Sequence, residues 1–311
     1  MEHSPMIIAQ GLTRAFNSMI AVDHLTFSVA EGEIFGLLGP NGAGKTTTIR
    51  MLCCLISKTG GEATVAGFPI AGDAHTLAIR QLIGLVSDNV GLYEELSAYD
   101  NLDFFGKLYD CTAKQRREGI ERFLKMLDLW DKRDVPVGDF SKGMKQKVAI
   151  ARALIHDPRL LFMDEPTANL DPESAKVVRD FILELKRQGK TIFLNTHNLD
   201  EARRLCDRIG IMKTRLLAIN TPEQLTAAVW GRRTLIELDT VTDGIRESLE
   251  ALGPRHLEVD GNRLQVEVTD PLKENPDLVQ AIIAAGGRVQ YVEKLEPALE
   301  ETYLRIVREQ A

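Results

Sequence analysis

Residues 39–46 read Gly-Pro-Asn-Gly-Ala-Gly-Lys-Thr and fit the spacing G-x-x-x-x-G-K-[ST] of a phosphate-binding loop. Gly39, Gly42 and Gly44 let the backbone curl until its N–H groups converge on phosphate oxygens, with Pro40, Asn41 and Ala43 completing the curl. Thr46 and Thr47 then open a helix, whose N-terminus adds about half a positive charge. In such a loop Lys45 would reach the β- and γ-phosphates, and Thr46 would hold Mg²⁺ through its hydroxyl. A glycine-rich turn with an exposed lysine is the bland alternative. The setting argues against it, because a strand is expected at Ile34–Leu38 and a helix at Thr46–Leu55.

A second group of reactive side chains closes the apolar run Leu160-Leu161-Phe162-Met163-Asp164-Glu165-Pro166. A strand ending in two carboxylates would present them beside the phosphate loop. Asp164 would help hold Mg²⁺, and Glu165 would orient and polarise the water attacking the γ-phosphate. By itself such a run is as readily a buried strand followed by a charged turn. A third group is Phe140-Ser141-Lys142-Gly143-Met144-Lys145-Gln146-Lys147. Ser141 can cap a helix running to about His156, and a serine hydroxyl with a glycine N–H at a helix start makes a second phosphate site.

These motifs need elements to hold them. Met6–Leu12 and Ala21–Val29 are expected strands, as are Glu62–Ala66 and Ile83–Ser87, with a helix at Thr76–Leu82. From about 94 to 157 the pattern becomes helical: Leu102, Phe105, Leu108 and Tyr109 recur at helical spacing, and so do Ile120, Phe123, Leu124 and Leu127. Strands return at Leu160–Met163 and Thr191–Asn195, with an amphipathic helix at Pro172–Arg187 between them. This alternation implies an α/β fold with a parallel sheet and the phosphate loop at a strand's carboxyl end. The expected division is an α/β domain carrying the phosphate loop over 1–225 and a small α+β appendage over 230–311. In the appendage, strands at Thr234–Leu238, His256–Val259, Arg263–Val268 and Arg288–Val292 and helices at Asp243–Leu252 and Asp277–Ala285 follow the split βαβ order. Asp260, Gly261 and Asn262 are its hairpin turn, and Pro297–Val307 is a closing helix.

Bulk properties narrow the field. The chain has 311 residues, is 44% hydrophobic and 27% charged, and has the composition of a folded soluble protein. No apolar run approaches the roughly eighteen residues of a membrane span, and the N-terminus has no secretion-signal pattern. Cys53, Cys54, Cys111 and Cys206 lack metal-site spacing and are expected as reduced thiols in a cytosolic protein. The net charge of -7 argues against nucleic acid as the main partner.

Taken in order along the chain, the three motifs resemble those of the ATP-binding subunit of an ABC transporter. Phe140-Ser141-Lys142-Gly143-Met144-Lys145-Gln146 is similar to that family's signature, Leu-Ser-Gly-Gly-Gln or Leu-Ser-Gly-Gly-Met-Lys-Gln. The resemblance covers residues 6 to about 220. It implies a head-to-tail dimer in which each ATP lies between one subunit's phosphate loop and the other's signature, here Ser141, Lys142, Gly143 and Met144. It further implies that Asp171, in Thr167-Ala168-Asn169-Leu170-Asp171, sits on a loop at the dimer interface. It gives His197, in Asn195-Thr196-His197, the switch role of hydrogen-bonding the γ-phosphate, and it places Phe16 where an aromatic ring stacks on adenine. A structural histidine and a core phenylalanine are the competing readings.

Two positions depart from the family pattern. Asp88, followed by Asn89, stands where a glutamine touches Mg²⁺ and the attacking water, and Asp88 is expected to serve the same role. Lys142 replaces the signature's first glycine. Three further features together are similar to exporter ATPases of the ABC-2 type: Ile34 to Gly42, Leu85 to Ser97, and the appendage that follows residue 230. The closing Pro297-Ala298-Leu299-Glu300-Glu301-Thr302-Tyr303 resembles their C-terminal Pro-x-Leu-Glu-x-x-Phe ending, with Tyr303 in place of Phe. The resemblance therefore implies an ATPase, using ATP and Mg²⁺, that energises export. Its implied partners are a second ATP-binding subunit, taken as a copy of itself, and a separate integral membrane permease. Its implied place is the cytoplasmic face of the membrane. A soluble ABC ATPase acting in DNA repair or translation, or a regulator that binds ATP without hydrolysis, are the alternatives from other functional classes.

Overall fold

The structure is a computed structural model that describes residues 5–87, 90–295 and 299–309. The chain forms two compact units, Met1–Thr221 and Pro222–Ala311.

The first unit contains two sheets. Strands β1 (Pro5–Phe16), β2 (Met19–Ala30), β4 (Gly60–Val65) and β5 (Phe68–Pro69) form an antiparallel sheet in the order β2-β1-β4-β5. Strands β3 (Ile34–Leu38), β6 (Ile83–Val86), β7 (Leu160–Asp164), β8 (Thr191–Thr196), β9 (Arg208–Lys213) and β10 (Arg215–Asn220) form the other, ordered β10-β9-β3-β8-β7-β6. All its pairings are parallel except the one between β9 and β10. Every residue of β3, β7 and β8 is buried, which is why these strands read as unbroken apolar runs instead of alternating ones. Phe27 of the antiparallel sheet stacks on Phe35 of the parallel sheet with ring centroids 5.4 Å apart, and Phe193 and Phe162 continue the aromatic core.

Helix α1 (Lys45–Leu52) starts at the phosphate loop. It stops three residues short of the sequence expectation because Cys54 takes a left-handed conformation at φ +54°. The Cys54 N–H then bonds to the Met51 carbonyl and the Leu55 N–H to the Arg50 carbonyl, a Schellman ending built without glycine. Helix α2 spans Asp73–Leu82. The helical stretch holds α3 (Ala98–Leu108), α4 (Ala113–Met126) and α5 (Lys142–Leu154), each opened by a hydroxyl cap: Ser97, Thr112 and Ser141. Leu102, Ile120, Phe123, Leu124 and Leu127 are buried as their spacing implies, but Leu108 is exposed and the Tyr109 ring stacks on His156 instead. Helix α6 (Pro172–Arg187) has the limits its sequence implies. Beyond Thr196, where no element is expected from sequence before about 230, lie α7 (Leu199–Leu205), β9, β10 and α8 (Pro222–Trp230).

The second unit starts with α8, which packs against α11 (Leu299–Glu309); the Trp230 indole donates to Thr302 Oγ1 at 3.1 Å. Between these helices in sequence come β11 (Arg232–Leu238), α9 (Asp243–Glu250), β12 (Leu257–Asp260), β13 (Arg263–Val268), α10 (Pro271–Ala284) and β14 (Val289–Leu295). They follow the split βαβ order and make an antiparallel sheet β12-β13-β11-β14. The hairpin turn is shorter than expected: Asp260 pairs with Arg263, leaving Gly261-Asn262 as the turn. Helix α10 begins six residues earlier than expected, at an Asp270 cap followed by Pro271, and Pro276 is carried inside it. Pro297 lies outside the described residues.

Candidate functional site

The carboxyl ends of β3, β8 and β7 lie side by side, with Leu38 paired to Thr196 and Asp164 to Asn195. The phosphate loop leaves β3 at that edge. Gly39 has no room for a side chain, because a Cβ there would lie 2.3 Å from the Met212 carbonyl oxygen of β9. Gly42 and Gly44 take φ of +81° and +97°, which an L-residue resists. Lys45 folds back over the loop and donates to the carbonyls of Gly39 at 2.8 Å and Pro40 at 3.1 Å. Burial pushes its ammonium pKa down, opposed by the nearby Glu165 and Asp164 carboxylates. The loop from Asn41 to Thr47 lines a cleft of about 300 Å³ together with Phe16, Asp164, Glu165 and Asn195. The Phe16 ring is 39% exposed, and the Arg14 guanidinium sits 4.4 Å from its centroid.

Thr46 and Asp164, 118 residues apart, meet here: Thr46 Oγ1 donates to Asp164 Oδ2 at 2.8 Å. The other carboxylate oxygen, Oδ1, accepts from Asn195 Nδ2. Strand β8 lies between β3 and β7, so Asn195 reaches Asp164 from the neighbouring strand. Its one signal in the sequence is a lone amide near the end of an apolar run, and no role follows from that alone. Because a carboxylate only accepts, Asp164 fixes which way the Asn195 amide faces, and the Asn195 Oδ1 is left buried without a partner.

Thr46 and Asp164 present hard oxygens beside a phosphate loop, and the orphaned Asn195 oxygen needs a donor such as a metal-bound water. Among the described residues no three His, Cys, Asp or Glu side chains cluster as a metal cage. This donor set fits Mg²⁺, which is held by one or two protein oxygens and completed by phosphates and water. Asp88, the remaining residue expected at the metal, lies outside the described residues.

Glu165 leaves β7 in a left-handed conformation at φ +52°, with its N–H bonded to the Asn195 carbonyl at 2.8 Å. A left-handed non-glycine residue at a cleft is a strained position of the kind that collects at functional sites. Glu165 Oε2 lies 2.8 Å from His197 Nδ1, with the carboxylate side chain 16% exposed and the imidazole 64% exposed. Burial raises the Glu165 pKa above the usual carboxylate range, opposed by His197 and Lys45.

The signature residues do not line this cleft. Ser141 caps α5, accepting from the Met144 N–H at 3.3 Å, and Ser141 and Lys142 are exposed. Gly143 is buried: a Cβ there would lie 2.8 Å from Ser174 Oγ and 3.5 Å from Asp171 Oδ2. Asp171 caps α6, accepting from the Ser174 N–H at 2.8 Å, and that bond lowers its pKa. The signature and the Asp171 loop, separate in sequence, thus pack directly together. One chain gathers Lys45, Thr46, Asp164, Glu165 and His197 into one site, and holds Ser141, Gly143 and Asp171 in another.

The family model described as "ABC transporter" matches residues 22–168. The chain is 35% identical over 299 residues to the Nod factor export ATP-binding protein I of Rhizobium sp. (strain N33), covering 95% of each protein. It is 33% identical to the linearmycin resistance ATP-binding protein LnrL of Bacillus subtilis (strain 168), covering 97% of this chain and 98% of that one. Among solved structures, an ATP-binding subunit of an ABC transporter superimposes with a TM-score of 0.66 at 29% identity, over 72% of this chain and 92% of that one. A dimeric cassette in a post-hydrolysis state, bound to ADP and Pi, gives 0.63 at 27% identity, over 70% of this chain and 98% of that one. The chain belongs to the ABC transporter family, as an ATP-binding subunit.

Proposed function

We propose that the chain hydrolyses ATP, as half of a head-to-tail pair of identical cassettes, to power export through a separate membrane permease. The carrying observation is the meeting of Thr46 with Asp164 and of Glu165 with His197 in the phosphate-loop cleft, with the signature on a different surface. In this reading Lys45 exchanges its two loop carbonyls for the β- and γ-phosphates. The N–H groups of residues 39–47 and the start of α1 complete the anion cradle. Thr46 and Asp164 hold Mg²⁺, which supplies charge neutralisation at the phosphates. Phe16 stacks on the adenine. Glu165, its basicity raised by burial, accepts a proton from the attacking water, and His197 holds the γ-phosphate.

Ser141, Lys142, Gly143 and Met144 approach the partner's ATP, and Asp171 lies at the interface beside them. The relatives are named for export of Nod factor and for resistance to linearmycin, which supports export over import. Among the described residues no helix is long and apolar enough to cross a membrane. In this reading the permease is a separate polypeptide, met at the cytoplasmic face of the membrane.

Comparing ATP turnover of Glu165→Gln with the unmodified chain tests the chemistry. Turnover should fall by about 10²–10⁴-fold while ATP binding persists; unchanged turnover would refute the assignment. Co-purification with a membrane protein tests the partner.

A further inference from the structure

Behind the cleft, Glu201 is a carboxylate with 2% exposure on the first turn of α7. No Lys, Arg or His among the described residues pairs with it. Its charge is met by two hydroxyls: Thr167 Oγ1 donates to Oε1 at 2.7 Å, and Thr196 Oγ1 donates to Oε2 at 2.9 Å. A buried carboxylate left without such donors would be strongly disfavoured, so both contacts are held firmly. Each threonine has one hydroxyl proton, and both are committed to Glu201. The local frame is tied as well. Thr196 Oγ1 accepts from the Asn198 N–H at 3.1 Å, and the Asn198 side chain accepts from the Glu201 N–H at 3.0 Å.

The two hydroxyls belong to different working loops. Thr167 is two residues from Glu165, and its carbonyl accepts from the Leu170 N–H at 3.2 Å, immediately before Asp171. Thr196 directly precedes His197. Displacing the loop that carries Asp171 must therefore move Thr167 and Glu201, and through them Thr196.

We propose that Glu201 is a positioning residue whose carboxylate ties the Asp171 loop to the His197 loop. Docking of the second cassette against Asp171 would thereby set the position of His197 in the first cassette's own ATP site. This inference rests on the interface and switch roles proposed above for Asp171 and His197.

Thr167→Val removes the hydroxyl on the interface side without touching any residue of the cleft, and Thr167→Ser keeps it. Turnover is measured at ATP and protein concentrations that saturate the dimer, so that weaker dimerisation alone cannot lower it. Thr167→Val should lower kcat about tenfold or more, as a displaced catalytic group does. KM should stay within about twofold, and Thr167→Ser should restore the rate. Adding Glu201→Gln should slow the enzyme little further, because both changes cut one link. Independently of turnover, the imidazole NMR signal of His197, assigned by its loss in His197→Ala, should shift in nucleotide-free Thr167→Val. An unmoved His197 signal overturns the proposal, as do an unchanged kcat at saturation or losses that multiply in the double variant. If the unmodified chain turned over no ATP, that would count against the ATPase reading, and the His197 signal alone would decide this one.

Discussion

Replacing Gly39, Gly42 and Gly44 by alanine, one at a time, separates two reasons for a glycine that the motif itself does not distinguish. At Gly42, φ is +81° and no atom lies within 4 Å of an added Cβ, so the penalty is backbone strain alone. That strain is about 1–2 kcal/mol, offset by about 0.4–1 kcal/mol from the stiffer unfolded chain. At Gly39 the backbone is ordinary, but an added Cβ would sit 2.3 Å from the Met212 carbonyl oxygen. That oxygen is on β9, which is held between β3 and β10 and has no side-chain freedom with which to yield. Overpacking of this kind costs about 1–3 kcal/mol. Gly44 carries both burdens, with φ +97° and an added Cβ 2.2 Å from the Ala21 carbonyl oxygen.

For a unit the size of Met1–Thr221, 1 kcal/mol moves Tm by about 2–4 °C. The expected losses are therefore about 2 °C for Gly42→Ala, about 5 °C for Gly39→Ala and about 10 °C for Gly44→Ala. Calorimetry of the nucleotide-free chain measures them. ATP titration should rank the first two in reverse, because Gly42 lines the cleft and Gly39 lies behind Lys45. An unchanged Tm for Gly39→Ala, or a loss for Gly42→Ala as large as that for Gly44→Ala, would refute the reasoning.

Thr46→Val deletes the donor to Asp164, so it should weaken ATP binding about tenfold when Mg²⁺ is present, the loss of roughly one charge-assisted hydrogen bond. With EDTA the variant and the unmodified chain should bind alike; an equal loss in both conditions would place the role of Thr46 elsewhere. The raised pKa of Glu165 makes a pH prediction with a definite sign. Burial favours the protonated form in the folded chain, so stability is lost as pH rises from the ordinary glutamate value of about 4.3 through the folded pKa. Glu165→Gln should therefore be the more stable protein at pH 7 and lose that advantage below about pH 4.3. In the unmodified chain, turnover should fall on an acid limb lying above the ordinary glutamate value. A Gln variant less stable at pH 7 would mean that the contact with His197 outweighs the burial of the charge.

How much of this could be read from residues alone depends on how far apart the cooperating groups lie in the chain. Helix α6 has its expected limits because its signals are local: an Asp171 cap, Pro172 in the first turn, and apolar residues at helical spacing. The phosphate loop is legible for the same reason, since its glycines, Lys45 and Thr46 act within eight positions. Helix α10 begins earlier than its sequence implies because Pro276 reads as a boundary, while the capping Asp270 and Pro271 outweigh it. Leu108 keeps the helical spacing of a core residue yet is exposed, because spacing gives a face and only packing decides what covers that face.

The sequence by itself determined the family, the α/β class, the glycine-rich loop at 39–46, and the carboxylates at the end of β7, because each is written in neighbouring residues. Tertiary structure decided the rest. It placed β8 between β3 and β7, so that Asn195 came to hold Asp164, and it packed Gly143 against Asp171. It also buried Glu201 where, among the described residues, Thr167 and Thr196 satisfy its carboxylate. These partners meet across 28 to 34 positions, except Thr196 and Glu201, whose contact depends on how α7 leaves β8. A hydrogen bond needs its two atoms about 3 Å apart, and only strand order and loop path bring them there.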